Sequence, residues 1–195
     1  GIKEIESGDL NNDFIAPFLY IGLDVDGNGR PVIKHTLEVK FSDKESNTND
    51  GSLKIIGDYS FAYNSIDSIS IPRSVEKIGV SSFVTFFEIS SLEFEGATDD
   101  TQTGRSLLKY IGDNSFSVFE GIEKPKITSL AIPASVTYIG DRAFDSFVNL
   151  SSVTFGTENS PSQLEYLSGF SYTGLTSITI PPTVTEIGEQ AFYRS

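Results

Sequence analysis

ITSLAIPASVTYIGDRAF at residues 127–144 and LTSITIPPTVTEIGEQAF at residues 175–192 are two copies of one sequence unit. Each copy holds a short stretch of alternating apolar residues that ends in Pro. Ile-Gly follows, and an aromatic residue stands five positions after that Ile. A repeated unit of this length is typical of proteins whose copies stack on one another around a shared core.

The second half of the unit, Ile-Gly followed by an aromatic residue, recurs through most of the chain. Five intact copies are Ile56 with Phe61, Ile78 with Phe83, Ile111 with Phe116, Ile139 with Phe144, and Ile187 with Phe192. In a sixth copy Leu167 and Ser168 replace Ile-Gly, and the same offset of five predicts Tyr172 as its aromatic residue. We expect the Gly to supply a positive φ at a turn and the aromatic ring to fill the core beneath the next coil.

Between these motifs lie short stretches with apolar residues two positions apart, the pattern of a strand that is buried on one face. Three of them end in Pro, which ends a strand because it has no N–H to donate, and three end in Phe and lead into longer polar loops. The stretches are Ile69–Pro72, Leu130–Pro133 and Ile178–Pro181, and Val39–Phe41, Leu92–Phe94 and Val153–Phe155. The two kinds alternate, so the full repeat is a double unit.

The pattern predicts a mainly β repeat solenoid, a right-handed stack of short parallel strands joined by turns and short helical segments. The helical segments are expected because in three copies a second Phe follows the repeat Phe by three positions, at Phe86, Phe119 and Phe147. We expect about six repeats over residues 37–195. Residues 1–36 lack the repeat and are predicted to form an amino-terminal cap, a β-hairpin around the turn of LDVDGNGRPV at residues 23–32.

The two quoted copies resemble the BspA-type leucine-rich repeat, because the pattern LxxIxIPxSVxxIGxxAF combines several spaced constraints. The resemblance covers about residues 37–195. This family is found mainly in bacterial cell-surface proteins and in some parasitic protists, so the resemblance implies an extracellular or cell-surface location. It also implies adhesion or ligand capture, and it carries no catalytic residues over to this chain.

Composition narrows the function classes further. The 195 residues include 14 basic and 27 acidic side chains, for a net charge of -13, so nucleic acid and anionic membrane surfaces would be repelled. No apolar run approaches the roughly 18 residues of a membrane-spanning helix. The chain has no Cys, and its one His, His35, is the only residue that a histidine-dependent active site could use. We therefore expect no enzyme and no cofactor.

A loop near the amino terminus partly matches a calcium-binding pattern. Asp24, Asp26, Asn28 and Gly29 occupy the spacing at which an EF-hand loop supplies oxygen ligands and a sharp turn. His35, however, stands where a bidentate carboxylate should close the site. The favoured alternative is a plain β-turn without metal, for which Asp, Asn and Gly are typical.

Two sets of residues are predicted as ligand-binding candidates. The first is a row of tyrosines, Tyr110, Tyr138 and Tyr166, each directly before the repeat Ile or Leu and therefore turned away from the core. Such a ladder either stacks on sugar rings or apolar side chains, or only stabilises the sheet. The second set consists of acidic residues in the longer loops, which could attract basic partners or cations or merely be solvated. These residues are Asp43, Glu45, Asp50, Asp99, Asp100 and Glu158.

The sequence thus predicts a non-catalytic surface binding or adhesion module that recognises a protein or a glycan, such as a host-surface or matrix component. One alternative is a structural spacer or scaffold within a larger surface protein. A carbohydrate-active enzyme, built on a pair of carboxylates, is the third and least favoured reading.

Overall fold

The computed structural model describes residues 24–25, 31–32, 39, 53–84, 89–101, 103–118 and 124–195. The chain divides into two compact units, Gly1–His35 and Thr36–Ser195. In the first unit, strand β1 (Asp24–Val25) pairs antiparallel with strand β2 (Pro31–Val32). Asp26, Asn28, His35 and the side chain of Asp24 lie outside the description, so the calcium loop stays a prediction.

The second unit contains two kinds of strand, one of two residues and one of four. In chain order they are β3 (Ile55–Ile56), β4 (Ser68–Ile71), β5 (Lys77–Ile78), β6 (Ser91–Phe94), β7 (Tyr110–Ile111), β8 (Ser129–Ile132), β9 (Tyr138–Ile139), β10 (Ser152–Phe155), β11 (Tyr166–Leu167) and β12 (Glu186–Ile187). The two-residue strands hold the repeat Ile or Leu. The four-residue strands hold the alternating apolar stretches.

The six two-residue strands form one parallel sheet with the spatial order β3-β5-β7-β9-β11-β12. Each repeat Ile or Leu faces its equivalent on the neighbouring strand, for example Ile111 beside both Ile78 and Ile139. The four-residue strands pair in parallel as β4 with β6 and β8 with β10. Successive copies therefore stack in register, as the repeat predicts.

Buried and more exposed residues alternate along the four-residue strands, as expected of a sheet that is buried on one face. In β4, β6 and β8 the two apolar residues are buried, whereas in β10 Val153 and Phe155 are half-buried. One predicted strand is wrong, because Ile178–Pro181 has no strand in the structure. Of Val39–Phe41 only Val39 is described, so that strand stays a prediction.

A column of phenylalanine rings fills the core of the solenoid. Neighbouring rings lie nearly parallel, with centroids 5.1 to 6.1 Å apart. The column consists of Phe61, Phe83, Phe116, Phe144, Phe170 and Phe192. Phe94 of β6 packs edge-on against both Phe116 and Phe144. The core is thus continuous from coil to coil, and no copy could bury its apolar face alone.

In the degenerate copy the ring in the column is Phe170, so the prediction of Tyr172 is wrong. The backbone N–H of Phe144 donates to the carbonyl of Gly169 at 2.8 Å, just as that of Phe116 donates to Ala143 at 2.8 Å. Gly169 is therefore equivalent to Ala143, and the next residue, Phe170, is equivalent to Phe144. This copy is two residues shorter than the others between its Leu and its Phe. Tyr172 lies two residues beyond the column, in the left-handed region with φ at 53°.

The role predicted for the repeat Gly is also wrong. None of the five Ile-Gly glycines has a positive φ. The residue with a positive φ stands two positions after each Gly, at Tyr59, Ser81, Asn114, Arg142 and Gln190. The absence of a side chain lets the backbones of neighbouring coils approach each other. A Cβ on Gly79 would lie 2.6 Å from the backbone nitrogen of Asp58, and a Cβ on Gly112 would lie 2.7 Å from the carbonyl carbon of Gly79. Both distances are too short for a real side chain.

The sequence predicts short helical segments after the repeat Phe. In the part of the chain that the structure describes, these segments are turns and not helices. The backbone N–H of Phe147 donates to the carbonyl of Phe144 at 3.4 Å, closing one turn only. The Phe147 ring is nevertheless buried, edge-on to Phe144 with centroids 5.8 Å apart. The inward direction was therefore predictable from the spacing, although the helix was not. Phe86 and Phe119 lie outside the described residues.

Candidate functional site

The three predicted tyrosines form a continuous stack on the outer face of the six-stranded sheet. Strand pairing places Tyr138 in register with Tyr110 on one side and Tyr166 on the other. The Tyr110 and Tyr138 ring centroids are 4.6 Å apart with planes 2° apart, and those of Tyr138 and Tyr166 are 4.7 Å and 12° apart. The spacing matches that of the strands themselves, so the backbone register alone sets the stack.

The faces of these rings are largely taken up by contacts within the protein. Both faces of Tyr138 are covered by its two neighbours, and the second face of Tyr110 lies under the ammonium group of Lys77, 5.2 Å from the ring centroid. A sugar ring binds an aromatic residue by lying on its face. The arrangement therefore favours the sheet-stabilising alternative for the tyrosines and leaves their edges and hydroxyls at the surface.

The hydroxyl groups of the stack lie beside a row of carboxylates. Burial raises the pKa of all three tyrosines, and nearby Asp113 and Asp141 raise the pKa of Tyr138 further. The Tyr166 hydroxyl donates a hydrogen bond to Asp141 Oδ1 at 3.1 Å, which also raises the pKa of Tyr166. The row thus stays protonated and can donate hydrogen bonds at any physiological pH.

Two of the longer loops meet at one edge of the solenoid, as the double repeat predicts. They are the loop after β6, residues 95–106, and the loop after β10, residues 156–163. Asp100 of the first loop accepts a hydrogen bond from the Thr157 hydroxyl and another, at 3.1 Å, from the Asn159 side-chain amide of the second. These bonds lower the pKa of Asp100. The two loops therefore support each other instead of projecting separately into solvent.

Asp99 has a local role in the first loop. Its carboxylate accepts hydrogen bonds from both the backbone N–H and the hydroxyl of Thr101, at 2.8 and 2.7 Å, and these bonds lower its pKa. Glu158 is exposed at the tip of the second loop. Asp43, Glu45 and Asp50 lie outside the described residues. Among the residues that are described, no three acidic or histidine side chains come close enough together to hold a metal ion.

Between these two loops the structure forms a groove that the sequence did not predict. Its cavity volume is about 250 Å³, its walls come from the two loops, and its floor is the short turn Pro133, Ala134 and Ser135 after β8. Arg105 and Ser160 line it, and each carries a buried polar atom that makes no well-formed hydrogen bond. The available signal was the alternation of long and short loops, since a short turn between two long loops leaves a depression.

Comparison with known families settles the class of this repeat. The family model for the BspA type leucine-rich repeat region matches residues 54–195, in six copies. The chain belongs to the BspA-type leucine-rich repeat family. The matched copies include the phenylalanine column, the six-stranded sheet and the tyrosine stack, so the BspA-type repeat accounts for most of the described structure.

The chain is also similar to a solved structure, described as the crystal structure of pneumococcal vaccine antigen PcpA, with 27% sequence identity and a TM-score of 0.55. The match covers 72% of this chain and 33% of that one, so the BspA-type chain spans about a third of the antigen's length. No curated protein matches the chain. The family and the structural match fit a non-catalytic repeat module. No helix in the described ranges is long and apolar enough to cross a bilayer.

Proposed function

We propose that this chain is a non-catalytic binding module of an extracellular or cell-surface protein, and that it recognises a protein or glycan ligand with the edge formed by its two long loops. The location is supported by the family, whose members are mainly bacterial cell-surface proteins, and by the similarity to a vaccine antigen. The phenylalanine column gives the edge a firm support, because each coil is packed on both neighbours.

The observation that supports binding at this edge is the bond between the loops. Asp100 joins its own loop to Thr157 and Asn159, which lie 57 and 59 residues away in the chain. Loops that are fixed before a ligand arrives lose less conformational entropy on binding. A scaffold that served only as a spacer would need neither long loops on alternate copies nor bonds between them. The edge is therefore a better binding surface than the tyrosine stack.

An array of glycans and extracellular-matrix proteins, probed with the labelled chain, tests the proposal. We expect at least one ligand whose binding is weakened by Asp100→Ala. The variant Glu93→Ala removes one negative charge from the exposed face of β6 and is the matched control, with binding unchanged. A triple Tyr110→Phe, Tyr138→Phe, Tyr166→Phe variant keeps the stack, removes its hydroxyls and should also bind normally.

The structural spacer predicts a different outcome. A folded chain that binds nothing on the array would contradict the binding proposal and favour the spacer. A ligand whose binding is lost in the tyrosine variant but kept in Asp100→Ala would place the site on the tyrosine stack instead. Binding that is strongest at low salt and disappears at high salt would identify a basic partner.

A further inference from the structure

We infer that the groove between the two long loops binds one uncharged sugar residue of a glycan. This rests on the proposed function, because it assigns a chemical class to the ligand at the same edge. Three features support the inference: the origin of the groove in the double repeat, the polar groups inside it that lack a well-formed hydrogen bond, and the balance of charge around it.

The groove follows from the alternation of loop lengths. The coil with β8 leaves its strand through the short turn at Pro133, whereas the coils on either side leave β6 and β10 through long loops. The two long loops rise on both sides of the short turn, and Asp100 ties them together. The cavity of about 250 Å³ is large enough to take one sugar ring.

Two polar groups in this groove lack a well-formed hydrogen bond. Ser160 is only 7% exposed, and its hydroxyl meets the Asp100 carboxyl in poor hydrogen-bond geometry, although closely enough to help lower the pKa of that carboxyl. The Nε of Arg105 is buried without a partner, while the Nη2 of the same side chain donates to the carbonyl of Asp100 at 3.0 Å. Buried polar groups are nearly always satisfied in folded proteins, so a ligand that accepts from Arg105 and bonds to Ser160 would complete the site.

Charge around the groove selects a neutral ligand. Asp99 lines the groove, and the chain carries a net charge of -13, so an anionic ligand would be repelled. The guanidinium of Arg105, whose Nε is buried, repels a cation in the same way. A sugar hydroxyl is neutral and both donates and accepts, so it can accept from Arg105 Nε and donate to Asp99. Pro133, Ala134 and Pro161 offer apolar surface for the C–H face of the ring.

Nuclear magnetic resonance titration of the amide spectrum with methyl glycosides of glucose, galactose, mannose and N-acetylglucosamine tests the inference. At least one glycoside should shift the amides of Gly96, Ala97, Ser135 and Ser160 in a saturable manner at millimolar concentrations. Ser160→Ala removes one hydrogen bond and should weaken that binding about fivefold. Ser152→Ala, on the exposed face of β10, is the matched control and should leave it unchanged.

A second variant guards against misfolding of the loop. Ala134→Leu fills the floor of the groove and should abolish the shifts while an unchanged amide pattern elsewhere shows that the fold is kept. No saturable shift with any glycoside up to tens of millimolar would overturn the inference, whether or not the array gives a ligand. Shifts at the groove with acetate or a peptide carboxylate, and not with glycosides, would overturn it as well. Array binding that Asp100→Ala weakens would still support the proposed function in either case.

Discussion

Gly140 lies directly against Asp113 of the preceding coil, so that a Cβ on Gly140 would stand 2.6 Å from the backbone nitrogen of Asp113. The Asp113 carboxylate completes the contact by accepting a hydrogen bond from the backbone N–H of Asp141 at 3.0 Å. The distance between coils is thus set by contact of backbone with backbone. A side chain at Gly140 must therefore push these two coils apart.

Gly140→Ala should therefore destabilise the protein. The expected loss in the free energy of unfolding is about 1 to 3 kcal/mol, because overpacking forces the backbone to shift. Gly57→Ala is the matched control, since a Cβ there meets only the Ser60 Oγ at 3.3 Å and φ is not positive. It should change the free energy of unfolding by less than about 1 kcal/mol, because restriction of the unfolded chain offsets the contact with Ser60. Urea unfolding of both variants gives the comparison, and equal losses would contradict this role of Gly140.

Phe144 is one of the fully buried rings of the aromatic column, as is Phe170. It is completely buried and contacts Phe94, Phe116, Phe147 and Phe170. Phe144→Ala should cost about 3 to 5 kcal/mol, because the cavity opens in the middle of the stack. Val148→Ala, four residues later and 38% exposed, should change the free energy of unfolding by no more than about 0.5 kcal/mol. A loss below about 1 kcal/mol for Phe144→Ala would show that the column does not hold the coils together.

Ser168 occupies the place of the repeat Gly in the degenerate copy and introduces a polar group that the core does not satisfy. The residue is 1% exposed, and its hydroxyl has no hydrogen-bond partner. Ser168→Ala should raise the free energy of unfolding by about 1 to 2 kcal/mol, since a buried unpaired hydroxyl costs that much. Ser115→Ala is the informative counterpart, because the Ser115 hydroxyl donates to the carbonyl of Gly79 at 2.9 Å and that variant should lose stability. Destabilisation by Ser168→Ala would mean that its hydroxyl has a partner.

Alkaline pH should destabilise the protein through the tyrosine stack. Burial and the nearby Asp113 raise the pKa of Tyr138 in the folded state above the usual value of about 10. The stability that the fold gains from this raised pKa is fully present below about pH 10. It is lost as the pH rises toward the folded-state pKa, because over that range only the unfolded chain releases the proton. Phenolate absorbance should show a late component, which Tyr138→Phe reduces because the pKa values of Tyr110 and Tyr166 are raised as well. A titration of all tyrosines near pH 10 in the folded protein would contradict the stack.

Much of this architecture could be predicted from the sequence because it depends on local patterns. The strands around Ile69 and Leu130, the Pro that ends each of them, and the row of Tyr110, Tyr138 and Tyr166 all follow from alternation and period. The repeat also predicts that copies stack in register, which the pairing of Ile78, Ile111 and Ile139 confirms.

The predictions that are wrong concern residues whose position depends on contacts between coils. The offset of five predicts Tyr172 as the column residue of the degenerate copy. That coil is two residues shorter, so Phe170 takes the position instead. The signal available in the sequence was the small residue directly before each column Phe, which is Gly169 in that copy. The local pattern predicts a turn at the repeat Gly, whereas its role depends on how near Asp58 or Asp113 lies in the neighbouring coil. The bond from Thr157 to Asp100, which joins the two loops, depends on loop conformations that no local pattern encodes.

The continuous aromatic column is the central claim, and nuclear Overhauser contacts between ring protons test it most directly. Selective labelling of phenylalanine and tyrosine rings should show contacts from Phe144 to both Phe116 and Phe170, and none from Phe144 to Tyr172. Contacts from Phe144 to Tyr172 in place of Phe170, or none between Phe144 and Phe116, would contradict the register and the stack of coils built on it.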